Sequence, residues 1–157
     1  LIVDSRFAEN IQGANAAGLK VGVYFYSQAV DEIEAVEEAS MVLDQIRNYK
    51  ISYPVFLDVE SSGGRGDKID NATRTAVCKA FCATIQNAGY TAGVYSNKHW
   101  LETKMDASAL SAYKIWMAQY AAAPTYKSRY DLWQYRSTGS VNGISGNVDM
   151  NISYLGY

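Results

Sequence analysis

Two segments of this chain share an alanine, two glycines, a valine and a tyrosine in register: Ala17-Gly18-Leu19-Lys20-Val21-Gly22-Val23-Tyr24 and Ala88-Gly89-Tyr90-Thr91-Ala92-Gly93-Val94-Tyr95. In each, the first glycine follows a stretch whose apolar residues have helical spacing, and it stands where the left-handed C′ residue of a helix belongs. A β-rich run begins a few residues later. A unit that closes a helix and opens a strand, used twice, predicts alternating helices and strands, hence a parallel sheet or barrel.

The rest of the pattern agrees. Phe7, Ile11 and Ala14 predict a helix over 6–17, and Val21–Ser27 reads as a strand with Val21, Val23 and Phe25 on one face and Tyr24 and Tyr26 on the other. Asp31 and Glu34 make a capping-box-like start for a helix reaching about Tyr49. After a strand over 53–60 and a Gly-rich loop, Asp70 or Asn71 caps a helix running to Asn87. A short helix at 107–112, a strand over 114–120 and two short strands at 132–135 and 148–151 follow, the last pair hairpin-like. Residues 1–157 fit one domain, since domains cluster near ~100 to 150 residues.

The stretch Tyr53-Pro54-Val55-Phe56-Leu57-Asp58-Val59-Glu60 carries the chemistry. Pro54 suits a strand start, and the apolar run suits a strand covered on both faces. Asp58 and Glu60, two apart, point the same way with Cα atoms roughly 6.6 Å apart. Each carboxylate raises the other's pKa, which favours one protonated and one ionised member, the division of labour of an acid/base hydrolase. In a barrel, chemistry collects at the C-terminal ends of strands, and Tyr26, Asp58, Glu60, Ser96, Asn97 and Tyr120 all fall near predicted ends. A strand-end Asp and Glu that merely solvate a turn are the plain alternative.

Composition removes several classes. Fourteen basic and sixteen acidic side chains leave a net charge of −2, with no basic footprint for nucleic acid or an anionic membrane. Thirteen Tyr and three Trp supply rings with polar edges that suit sugar or peptide surfaces. No apolar run reaches the ~20 residues of a membrane span. Cys78 and Cys82, at i and i+4 of one predicted helix, read as small buried thiols, because a bridge within one helix would strain the S–S geometry. The single His99 reads as a polar loop residue and cannot build a multi-histidine metal site.

Six segments in order, VGVYFYSQ (21–28), PVFLDVE (54–60), AGYTAGVYSN (88–97), IWMAQY (115–120), LWQY (132–135) and GISGNVDMN (143–151), resemble the family 25 glycoside hydrolases, over nearly the whole chain. The resemblance implies a modified (β/α) barrel of the TIM type that cuts the β-1,4 bond between N-acetylmuramic acid and N-acetylglucosamine in peptidoglycan. It implies Glu60 as general acid, Asp58 as the carboxylate that orients or stabilises the reacting acetamido group, and Asp149 as an acidic residue from the last strand. Tyr24, Tyr26 and Tyr95 are implied as aromatic lining, with Gln119, Tyr120, Trp133 and Gln134 as further contacts. No cofactor and no metal are implied; the partner is the glycan strand, and a monomer acting at the cell wall or released to it is expected.

The chain departs from the family pattern at its start: the first strand, with its aspartate, and the second have no counterpart before Leu1. The expectation is an N-terminally incomplete catalytic domain with an exposed edge beside Tyr24 and poor hydrolysis by this chain alone. Two other readings compete: a wall-glycan-binding remnant without turnover, and a chitinase-type glycosidase. The D-x-x-D-x-D-x-E run of the latter is not matched, since Phe56 and Tyr53 occupy its first two acidic positions.

Overall fold

The computed structural model describes residues 1–157. Its elements are α1 (Phe7–Ala16), β1 (Val23–Tyr26), α2 (Glu32–Ile46), β2 (Val55–Asp58), α3 (Asn71–Asn87), β3 (Ala92–Asn97), α4 (Lys98–Thr103), β4 (Lys114–Ala118), β5 (Leu132–Gly139) and β6 (Val148–Ser153). Short 3-10 turns lie at Arg65–Lys68 and Ala107–Leu110. The six strands form one sheet in chain order, parallel from β1 to β5 and closed by antiparallel β6, which is the expected final hairpin.

The repeat glycines account for the two helix-to-strand turns. Gly18 and Gly89 sit at φ 74° and 94°, conformations open to a residue without Cβ. Gly93 is required for space instead, because a Cβ there would meet Phe56 Cε1 at 2.5 Å and the Lys114 carbonyl at 2.7 Å. Gly93→Ala is therefore expected to cost about 1–3 kcal/mol by overpacking, read as a lowered denaturant midpoint with an unchanged slope.

Pro54 has no N–H, so the ladder of β2 begins at Val55, whose N–H reaches Thr91 O. Before it, Ser52 and Tyr53 donate to the Val21 carbonyl, so the strand start expected at Val21 is a backbone bridge rather than ladder. The short helix expected at 107–112 is the 3-10 turn, capped by Asp106. The polar loop expected around His99 is α4, capped by Asn97, whose side chain accepts from Trp100 N–H. His99 is exposed on that helix.

One face of the sheet packs on α2 and α3. Val55, Leu57, Val59, Val94, Ile115 and Met117 join Ala35, Ala39, Val77, Phe81 and Ile85 in a single buried cluster. Cys78 and Cys82 lie inside it as free thiols, and burial pushes the Cys78 thiol up to about 12. Strand alternation then sends Tyr24, Tyr26, Phe56, Asp58, Tyr95, Trp116 and Gln134 to the other face.

That face is concave. Tyr53 Oη donates to Ser153 Oγ at 3.0 Å, although four strand spacings of ~4.8 Å would hold the two ends ~19 Å apart in a flat sheet. The sheet is thus curled into half a barrel. At its open side β1 pairs only with β2 and Tyr24 is 63 % exposed, the expected free edge. A largely apolar groove of about 680 Å³ runs along it between α1, β1 and α2.

Candidate active site

Asp58 ends β2, one strand in from the open edge, on the concave face, with Tyr26 and Tyr95 as its register partners on the two neighbouring strands. It is buried, and its Oδ1 has no hydrogen-bond partner. Burial, and then the neighbouring Glu60 charge within hydrogen-bonding reach, push its carboxyl from 3.8 to about 8. Glu60, two residues beyond the strand, is only partly buried and so is the member of the pair open to a ligand. Burial therefore keeps the Asp58 carboxyl protonated at neutral pH.

Aromatic rings floor the cleft. Trp116 is their hub: its ring lies 4.7 Å from Tyr95, 5.2 Å from Phe56 and 6.5 Å from Tyr24, centroid to centroid. Its Nε1–H donates to Asn151 Oδ1 on β6 at 2.8 Å. Tyr95 and Tyr120 both donate to Gln134 Oε1 at 2.7 Å, so the buried amide fixes two phenols of one wall. Burial raises the Tyr24 phenol, and the charges of Asp58, Asp149, Asp4 and Glu60 raise it further.

Asp149 shares strand parity with Asn151, is exposed, and acts by its charge on Tyr24 and Tyr120. It therefore faces the mouth of the same cleft from the opposite edge of the sheet. Two expected contacts lie elsewhere. Trp133 pairs in register with Met117, belongs to the buried cluster, and donates Nε1–H to the Gln119 carbonyl. Gln119 turns its amide to Thr125, accepting from its N–H and donating to its Oγ1, which holds the loop after β4. Trp116, Phe56, Asn151 and Asp4 were not expected. Trp116 could have been found from parity with Ala118 once the inward face of β4 was known.

The loop after Glu60 is tightly built. The Asp67 carboxylate accepts from Ser61 Oγ, Ser62 N–H, Ser62 Oγ and Gly63 N–H, which lowers its pKa to about 2. Arg65 pairs with Glu34 at the start of α2. Glu38, buried on α2, accepts from Ser27 Oγ and Gln28 N–H and so secures the segment after β1.

The family model of the glycosyl hydrolases family 25 matches residues 1–144. The chain belongs to that family. Among family relatives, the autolytic lysozyme of Clostridium acetobutylicum is 30 % identical over 150 residues, covering 94 % of this chain and 44 % of that protein. The modular autolysin LytC of Streptococcus pneumoniae superposes with a TM-score of 0.82 at 30 % identity, over 96 % of this chain and 37 % of its own. Its complex with a synthetic peptidoglycan ligand gives a TM-score of 0.85 at 29 % identity, over 96 % of this chain and 37 % of its own. The chain thus spans less than half of each of these proteins.

Proposed function

We propose that this family 25 chain is the catalytic part of a peptidoglycan muramidase, its curled sheet forming one wall of a modified (β/α) barrel. The observation that carries the reading is the pair Asp58, buried, and Glu60, open to the cleft, at the carboxyl end of β2 among aromatic rings. The lysozyme and autolysin names of its relatives, and the peptidoglycan ligand of one, support a cell-wall glycan as substrate and the wall as the place of action.

Glu60 donates the proton to the glycosidic oxygen as the C–O bond breaks, and Asp58 supplies that proton from below. Once ionised, Asp58 faces the positive charge that develops on the sugar ring, with Asp149 contributing from the far edge. The substrate's own acetamide is the nucleophile that Asp58 orients, a recognised exception to the two-carboxylate scheme. Tyr24, Tyr26, Tyr95 and Tyr120 present rings to the sugar faces, and Gln134 sets the last two.

The test is to incubate the chain, and beside it a form extended by the first two strands of a family 25 relative, with purified walls, reduce the new ends with borohydride and identify the reduced sugar by mass. Reduced N-acetylmuramic acid is expected. Sedimentation with walls without new reducing ends would leave glycan binding alone, and reduced N-acetylglucosamine would overturn the bond assignment.

A further inference from the structure

We propose that Arg74 is a positioning residue that holds the rim of the cleft from behind, an inference that rests on Glu60 being the proton donor. Arg74 lies in the first turns of α3, is 2 % exposed, and takes part in none of the chain's ion pairs. Its guanidinium donates instead to backbone carbonyls: through Nη2 to Gly66 at 3.0 Å, Ile69 at 3.0 Å and Asp67 at 3.5 Å, and through Nη1 to Lys104 at 2.7 Å. Trp100 of α4 covers it, with the guanidinium carbon 4.6 Å from the ring centroid.

These carbonyls belong to two different rim segments. Gly66, Asp67 and Ile69 lie in the loop that leaves Glu60, and Lys104 follows α4, which leaves β3. A buried charge without a carboxylate partner is costly unless hydrogen bonds satisfy it, and here the satisfying groups are the loop backbones themselves. Withdrawing the rim from Arg74 would strand a buried cation, so the loop is held in one conformation. The planar fork of Arg can serve several diverging carbonyls at once, which the single ammonium of Lys cannot match. The Asp67 carboxylate continues the hold on the far side of the loop, through the N–H groups of Ser62 and Gly63, two and three residues after Glu60. From Arg74 the hold thus runs through the loop backbone and the Asp67 carboxylate to the residues that follow Glu60.

Three measurements test it. In the wild type, the Ser62 and Gly63 amides are expected to be protected from hydrogen exchange despite lying in a Gly-rich loop; exchange at free-peptide rates would overturn the proposal without any variant. In Arg74→Lys those amides should exchange at least ~10-fold faster. In Arg74→Lys kcat for wall hydrolysis should also fall about 10- to 100-fold at temperatures where the variant is fully folded, with KM changed far less. Arg74→Met should extend both effects if it folds. Unchanged protection, or an unchanged kcat in Arg74→Lys, would overturn the assignment, as would a loss of rate that only follows the unfolded fraction. A wild type with a protected rim and no hydrolysis would instead count against the functional reading, while the exchange measurements would still decide whether Arg74 orders the rim.

Discussion

Glu60→Gln is expected to lower wall hydrolysis by about 10²- to 10⁴-fold, the range for loss of a general acid, and to leave the fold in place. The amide keeps the size of the side chain and cannot give up a proton to a leaving oxygen. Because Glu60 is partly buried at the mouth, neither the aromatic floor nor the helix-facing core depends on it. In the wild type the carboxyl pair must hold one proton to act. Asp58 retains that proton up to about pH 8, so activity is expected to persist through neutrality and to fall on the alkaline side. Hydrolysis within a few-fold of wild type in Glu60→Gln, with circular dichroism unchanged, would move the acid role elsewhere. Asp149, facing the same mouth, would be the first residue to examine.

Much of this site was legible because strand chemistry is local. The run ending in Asp58 and Glu60 announces its own parity, since Val55, Leu57 and Val59 need a core and leave the carboxylates to the other side. The repeat with its glycines was legible for the same reason, as helix end and strand start are written within eight residues. What failed was the choice of face in strands that are apolar on both sides. In Ile115-Trp116-Met117 and Leu132-Trp133-Gln134 nothing in the spacing says which tryptophan enters the cleft. The register between β4 and β5 decides it, pairing Trp116 with Leu132 inward and Met117 with Trp133 toward the helices. Arg74 was hidden differently: a single Arg on a helix reads as solvent-facing, and it is buried only because two loops distant in sequence fold back over it. Helix α4 is six residues long, too short for a periodic signal, and its cap Asn97 doubles as the last residue of β3.

Asp58→Asn is expected to cost at least ~10²-fold in hydrolysis, by the same general-acid argument, and yet to stabilise the chain. The carboxyl titrates at about 8 in the fold against 3.8 ordinarily, so between those values the native state holds a proton that the unfolded chain has released. Stability from this group is then fully present below about pH 4, declines as pH rises toward 8, and is flat above. Asparagine never ionises, so the decline should vanish. Its amide can also donate to Glu60, while its oxygen takes the place of the partnerless Oδ1. What Asn removes is the cost of a charge buried as pH rises toward 8, and a domain of this size gains roughly 2–4 °C per kcal/mol. Thermal unfolding of Asp58→Asn should therefore lie a few degrees above wild type at pH 8, with the difference shrinking toward pH 4. The alkaline limb near pH 8 should disappear from whatever activity remains. A variant that melts below wild type at pH 8 would show that Asp58 is held by contacts worth more than its burial costs. The proton store beneath Glu60 would then have to be abandoned, because a carboxylate that stabilises the fold when ionised has no reason to keep its proton at neutral pH.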